Sequence, residues 1–358
     1  VDLTADHQVH RPQGLDREEV RSAQAGDIVQ VTGIEGIDIS DTLCDPEHPT
    51  ALPPIPIDEP TIRMTFGVTT SPLAGRDGKP LQSRDLKARL EREAERNVAL
   101  RVAPTEQADV FEVSGRGLLH LSVLIESMRR EGCELQVGPP RVIYHEGDHG
   151  ERLEPVELAA VDVPEEQANR VMNLMLSRRG ELLSMVQKGS MQHLEFTIPS
   201  RGLIGLRTQI LSATQGEAVL HTVFQDYQPH RGPISGKRNG VMISMGDGES
   251  VPYAIFNLEE RGEFFIGANA ALYEGMIVGL HAKENDLVVN LTKGKKLTNV
   301  RSAGADDAVK LTPHRRLSLE EALEFLAPDE VVEVTPQHIR LRKALLKEVD
   351  RKRAARAS

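Results

Sequence analysis

The chain has 358 residues, enough for about two to four domains at roughly 100–200 residues each. It carries 43 Lys+Arg against 54 Asp+Glu, a net charge of −11, which excludes a wholesale basic coat for DNA or RNA but leaves room for local basic patches. Two cysteines, Cys44 and Cys133, exclude a disulfide scaffold and a four-cysteine zinc site and suit a reducing, cytoplasmic compartment, and 3% aromatics without Trp leave a base-stacking platform poorly supplied.

The opening Val1-Asp2-Leu3-Thr4-Ala5-Asp6-His7 has no basic or apolar region of a signal peptide. It starts on Val in strand-and-turn material, as expected of a fragment or a processed chain. Residues 1–43 read as mostly β, with a Gly26-Asp27 turn feeding a strand within Ala25–Gly33. Pro46, Pro49, Pro53, Pro54, Pro56 and Pro60 then remove amide donors, so this stretch is expected to be a semi-rigid linker rather than a central strand.

Residues 60–146 read β-α-β-β-α-β. Thr61–Val68 is a strand, and Ser83 is expected to cap a helix whose stripe is Leu86, Leu90, Ala94 and Val98. Strands follow near 99–103 and 109–114, then a helix over 118–130 ended by Gly132, then strands at 134–137 and 141–144. The order suits the ferredoxin-like motif, two helices on one face of a four-stranded antiparallel sheet. It starts again at Leu153. A strand over 156–163 leads to a helix opened by Pro164, with Val171, Met172, Met175 and Leu176 as its apolar face. A hairpin across Lys188-Gly189-Ser190, a helix over 204–211 and a strand over 217–227 complete a degenerate duplication.

Residues 230–335 are Gly-rich, with short strands expected at 242–244, 251–255, 263–266, 276–281 and 287–290. The capping box Ser318-Leu319-Glu320-Glu321 starts a helix. The stretch 339–357 reads as a basic helix or tail. No run approaches the ~20 apolar residues that cross a bilayer, and no membrane partner is expected.

Two motifs resemble catalytic signatures. His145-Glu146-Gly147-Asp148-His149 has the spacing of zinc proteases, which need both imidazoles on one helix face. Gly147 and Gly150 disfavour that helix and a strand runs into the motif, so a solvated turn is expected; a zinc hydrolase using His145, Glu146 and His149 is the minor alternative. Gly232-Pro233-Ile234-Ser235-Gly236-Lys237-Arg238 has three residues between its glycines where a phosphate loop needs four, and Arg238 where Ser or Thr would hold magnesium. Nucleotide hydrolysis by this chain alone is therefore not expected. The segment Asn290–Arg301 carries Lys293, Lys295, Lys296 and Arg301 with no acid, which suits contact with RNA phosphates, although basic runs are often only solvated. Asn299 could add a directed hydrogen bond, and Lys237 and Arg238 are weaker candidates.

Ala25–Val29, Asp58-Glu59-Pro60-Thr61, Asn97–Val102, Ser114-Gly115-Arg116-Gly117-Leu118-Leu119-His120-Leu121 through Glu126, Pro199-Ser200-Arg201-Gly202-Leu203-Ile204-Gly205-Leu206-Arg207 and Gly294–Asn299 together resemble the TypA/BipA family of translational GTPases over essentially the whole chain. One departure is Leu118, where the family pattern has Glu.

The resemblance implies an α+β multidomain fold: a partial β-barrel over 1–52, ferredoxin-like domains over 56–146 and 151–232 similar to the third and fifth domains of elongation factor G, and a β-rich C-terminal domain with a terminal helix over 235–358. It implies no active site in this chain, with GTP and magnesium bound by a GTPase domain lying N-terminal to it. The implied partners are the 70S ribosome, 23S rRNA and A-site tRNA, the implied roles are stress-responsive translation and large-subunit assembly, and the loop Lys293–Arg301 is implied to face the tRNA acceptor arm. A protein-interaction module without an RNA partner remains the alternative.

Overall fold

Residues 8–14, 16–34, 37, 39–45, 47–53, 59–234, 239–294 and 310–357 are described by a computed structural model, in which the chain divides into two units, Val1–Asp58 and Glu59–Ser358. The first unit holds β1 (Gln8–Gln13), β2 (Asp16–Val20) and β3 (Gln30–Thr32), antiparallel in the order β2-β1-β3. The Gly26-Asp27 turn is present. Its Asp27 Oδ2 accepts from Gln24 N (2.9 Å) and Arg11 Nη2 (2.7 Å), which ties the turn to β1. Pro46, Pro54 and Pro56 lie outside the described residues.

The second unit opens with β4 (Ile62–Val68), β5 (Lys79–Pro80), α1 (Ser83–Arg96), β6 (Arg101–Pro104), β7 (Val110–Gly115), α2 (Leu118–Arg130) and β8 (Cys133–Val137). The order β8-β4-β7-β6 places the fourth strand of the motif beside the first and the third beside the second, the ferredoxin-like arrangement. Leu86 and Leu90 of α1 and Leu121, Leu124, Ile125 and Met128 of α2 pack on Met64, Phe66 and Val113. Each such fully buried side chain contributes about 1.5–3 kcal/mol. Ser83 is the first residue of α1 rather than its cap, because its hydroxyl is donated to Ala108 O (2.8 Å).

β9 (Arg141–Val142) and β10 (His145–Glu146) lead into the second repeat: β11 (Arg152–Pro164), α3 (Glu165–Ser177), β12 (Glu181–Lys188), β13 (Met191–Pro199), α4 (Ser200–Leu203), α5 (Leu206–Ala213) and β14 (Val219–Pro229). Here β14, β11, β13 and β12 lie side by side, the same strand order as in the first repeat. The expected helix over 204–211 is α5 and begins two residues later, because Gly205 sits at φ +72°, a left-handed conformation that separates it from α4. Leu176 faces solvent, while Val171 and Met175 enter the core.

The last part contains β15 (Val241–Ser244), β16 (Gly248–Glu249), α6 (Pro252–Phe256), β17 (Gly262–Phe264), β18 (Ala271–Leu272), β19 (Met276–His281), β20 (Leu287–Val289), α7 (Leu319–Phe325), β21 (Glu330–Val334), β22 (Ile339–Lys343) and α8 (Glu348–Ala357). The strand expected at 251–255 is a short helix: Pro252 has no amide to give a ladder and its fixed φ suits the first helical turn. The basic stretch expected as helix or tail from residue 339 begins as β22, and only its end is helical.

β21 had no forecast, and it joins the two halves of this unit. It pairs antiparallel with β22 on one side and with β8 on the other, Val332 opposite Val137 and Val334 opposite Leu135. Among the described residues this makes one sheet of 12 strands with the path β20-β15-β19-β22-β21-β8-β4-β7-β6. Strand alternation then covers its C-terminal part on both faces. Val241, Ile243 and Ile277 join the core of the first repeat with Leu319, Ala322 and Leu323 of α7, while Met242, Met276 and Val278 pack with Tyr273, Val289 and Leu291. The fit is close at Gly78, where a Cβ would lie 2.6 Å from Gly132 O and 2.7 Å from Pro336 Cγ.

α7 begins on the expected box: Glu321 N donates to Ser318 Oγ (3.2 Å) and Ser318 N to Glu321 Oε2 (2.9 Å). Ser318→Ala should cost about 1 kcal/mol, read by chemical denaturation of the whole chain; an unchanged midpoint would show that tertiary packing alone sets this helix start.

Candidate nucleic-acid interface

β20 ends in the core, and the basic loop starts from a fixed point. Asn290 Oδ1 accepts from Thr292 N (3.1 Å) and Thr292 Oγ1 (3.0 Å), a local turn of the kind Asn favours. Leu291 is 1% exposed and its carbonyl accepts from Val251 N (2.9 Å). Thr292, Lys293 and Gly294 are exposed. The chain returns to the same cluster at Leu311, where Thr312 N donates to Glu259 Oε1 (2.8 Å) and Arg315 N to Phe264 O (2.9 Å). Both ends of the loop are therefore pinned to one hydrophobic cluster.

Lys293 is the one predicted RNA contact among the described residues. It lines an open cleft of about 790 Å³ with Tyr253, Asn257, Arg261 and Asn290, and no carboxylate of the described residues pairs with it. Lys295, Lys296, Asn299, Arg301, Lys237 and Arg238 lie outside the described residues.

The motif at the start of α2 builds a smaller surface feature. His120 accepts from Arg116 N at Nδ1 (3.4 Å), and its Nε2 lies 2.7 Å from the Asn97 side-chain amide. The atom it faces is the amide nitrogen Nδ2, and a neutral imidazole has one acceptor nitrogen, which the tautomer assigns. Burial, then the Arg116 charge, holds His120 below its ordinary pKa, which keeps it in that neutral form. Leu118, the departure from the family pattern, packs half-buried against the core.

Arg201, inside the motif Pro199–Arg207, is turned inward. Its guanidinium forks onto the wholly buried Glu154, with Nη2 3.0 Å from Oε1 and Nε on Oε2, and Nη2 also donates to Gly232 O (2.6 Å). Arg231 N adds a third hydrogen bond to the carboxylate (2.7 Å). Burial alone would raise the Glu154 pKa, but the Arg201 and Arg231 hydrogen bonds outweigh it and hold the carboxyl below the ordinary Glu value. Sequence reading missed this pair. The available signal was two acids, Glu154 and Glu157, in the otherwise apolar run 153–161, and the one that is buried needs a buried cation.

His145, Glu146 and His149 occupy a two-residue strand and the turn after it, so the two imidazoles do not share a helix face. The His145 ring stacks on Tyr227, centroids 3.9 Å apart and 7° from parallel. The Glu146 neighbourhood is closed by Gly147 N donating to Glu151 O (2.8 Å). This is packing between β10 and the strands beside it. No helix among the described residues is long and apolar enough to cross a membrane.

Residues 239–348 match the TypA/BipA C-terminal domain, and residues 151–238 match the elongation factor G C-terminus. The chain is 50% identical to the large ribosomal subunit assembly factor BipA of Salmonella typhimurium over 345 residues, 96% of the chain and 57% of that protein. It is 49% identical to the protein of the same name from Bacillus subtilis and 50% identical to that from Haemophilus influenzae, in each case over 96% of the chain and 56% of the relative. It thus spans a little over half the length of these relatives. With two domain matches in succession and half of the residues identical along nearly its whole length, the chain belongs to the TypA/BipA family.

Proposed function

We propose that the chain is the ribosome-binding C-terminal portion of a TypA/BipA-like translational GTPase that acts in large-subunit assembly and stress-responsive translation. The observation that carries this reading is the 50% identity over 96% of the chain to proteins named as large ribosomal subunit assembly factors. Residues 1–52 serve as the end of a β-barrel domain, 56–146 and 151–232 as the counterparts of the third and fifth domains of elongation factor G, and 235–358 as the family's own C-terminal domain. GTP and magnesium belong to a GTPase domain N-terminal to these residues, and no residue here has a part in hydrolysis. The protein is cytoplasmic, with the 70S ribosome as its partner.

In this reading the cations of the loop meet polyanion. Lys293, Lys295, Lys296 and Arg301 contact phosphates of 23S rRNA and of the A-site tRNA acceptor arm, with Asn299 giving a directed hydrogen bond and Lys237 and Arg238 lesser contacts. Such contacts position without reading sequence, and selectivity comes from the shape of the RNA. The pinned ends at Leu291 and Thr312 support this, because an anchored loop loses less conformational entropy on docking than a free tail.

Cosedimentation of the chain with 50S subunits and 70S ribosomes, before and after nuclease treatment, tests the reading. The chain should pellet with intact particles and stay in the supernatant after RNA digestion. Binding that survives digestion favours a protein-interaction module, and no pelleting at any salt concentration contradicts ribosome binding.

A further inference from the structure

A second cleft, of about 650 Å³, opens between the turn after Leu73, the segment before α7 and the start of β22. It shares no lining residue with the cleft at Lys293. Its lining includes Arg76, Arg129, Arg316, Arg340, His314 and His338, against a single carboxylate, Asp77. That concentration of basic side chains is unusual in a chain of net charge −11. The floor is apolar, from Leu73, Met276, Ile277 and Leu341.

The cationic groups divide into two kinds. Arg340 and Arg129 are fixed. Asp77 Oδ2 holds Arg340 Nη2 (2.8 Å), His338 Nδ1 (2.7 Å) and Thr335 Oγ1 (2.9 Å). Glu126 takes Arg129 through Nε (2.7 Å) and Nη2 (3.1 Å), and Arg129 Nη1 donates to Pro336 O (3.2 Å). Arg76 and Arg316 are exposed, and neither is paired with a carboxylate of the described residues; Arg316 Nε donates to His314 Nε2 (3.5 Å). The turn carrying Arg76 is itself rigid. The buried Glu134 carboxylate accepts three of its amides, Gly75 N (2.6 Å), Asp77 N (2.9 Å) and Gly78 N (2.7 Å). Its position is set before any ligand arrives.

We propose that this cleft binds a small organic phosphate, a phosphate monoester on an apolar or planar body of about nucleotide size. Two guanidiniums with no carboxylate partner among the described residues supply forked donors that match phosphate oxygens. The volume falls within the roughly 300–1,000 Å³ of small-molecule sites, and the apolar floor gives the body of the ester a surface to cover. An RNA backbone phosphate has no use for that floor, which favours the small ligand over polynucleotide. This site stands apart from the ribosome reading, since it shares no residue with the Lys293 loop.

The test is isothermal titration of the 358-residue chain with AMP, phenyl phosphate, adenosine and inorganic phosphate, repeated on R76A/R316A and on K293A. AMP and phenyl phosphate should bind, and adenosine should bind at least about tenfold more weakly, as expected when a charged hydrogen-bonding group is removed. R76A/R316A should keep the parent melting temperature, because both side chains are exposed, and should lose about tenfold or more in affinity for each arginine. K293A should bind as the parent does. Absence of AMP and phenyl phosphate binding up to millimolar concentration overturns the proposal, as does equal affinity in R76A/R316A. So does binding of a 5′-hydroxyl RNA oligomer, but not AMP, that depends on the two arginines.

Discussion

Arg342→Met should destabilise the unit Glu59–Ser358 by about 3–5 kcal/mol, the usual cost of removing one partner from a buried ion pair. The Arg342 side chain is 2% exposed and lies 2.9 Å, through Nε, from Glu333, which is 1% exposed. That approach is off the hydrogen-bonding angle, so the contact is chiefly electrostatic. The guanidinium also donates to Thr70 Oγ1 (2.8 Å), to Gln136 Oε1 and to Lys343 O (3.0 Å), which bridges β22 to β8 and to the segment after β4. Methionine fills much of the volume but leaves Glu333 without its cation.

Burial already holds the Glu333 carboxyl above its ordinary value of 4.5, outweighing Arg342 and the Tyr273 hydroxyl. A carboxyl raised in the folded state favours folding below the unfolded value and loses that contribution as pH rises through the folded value. Losing Arg342 raises it further. The stability gap between Arg342→Met and the parent should therefore narrow as pH falls toward 4.5 and widen toward neutrality. The double variant Arg342→Met/Glu333→Gln should recover part of the loss, because no uncompensated charge is left. A single-variant cost under about 1 kcal/mol, as for an exposed pair, would contradict this account of the seam.

Arg201→Ala should cost a similar amount, about 3–5 kcal/mol, because it strands the fully buried Glu154 with one backbone amide as its remaining partner. The damage should be local at first. The pair joins β11, α4 and the exit at Gly232, so limited proteolysis should detect opening near residues 230–232 before the first repeat is affected. Arg201→Lys should rescue little, since one ammonium cannot replace a fork that serves both carboxylate oxygens and a carbonyl. The pH dependence has the opposite sign to that of Glu333. The Glu154 carboxyl is held below 4.5, so its contribution is present above that value and is lost as pH falls through the lower folded value. Glu154→Gln should flatten that acid limb of the stability profile, and an unaltered acid limb would mean that the pair does not bear on stability.

The two repeats were readable because their signals are local. The stripe Leu86-Leu90 and the run 118–130 have helical period, and the turns at Gly115–Gly117 and Gly189-Ser190 punctuate the strands, so the shared strand order follows once the elements are placed. The seam between β8 and β21 was not readable. It joins residues 135–137 to residues 332–334, and edge pairing over that separation leaves no mark in either stretch. Arg340, Arg342 and Lys343 read as a solvated basic tail because charged residues are rarely buried, yet each is paired here. Lys343 shows how: burial works against its ammonium, but Glu330, Asp286 and Asp329 outweigh it and raise the pKa. Of the candidate site, the charge of the loop was legible and its anchoring was not, because Leu291 and Thr312 are fixed by contacts with residues far from them in sequence.

The central claim is that the acidic body docks on RNA through the loop cations. The measurement closest to it is the salt dependence of ribosome binding for the parent and for K293A/K295A/K296A. If three phosphate contacts are lost, the slope of log K against log salt should fall by about 2–3, and affinity at low salt should drop by roughly 100-fold. An identical slope and affinity for the two proteins would contradict it.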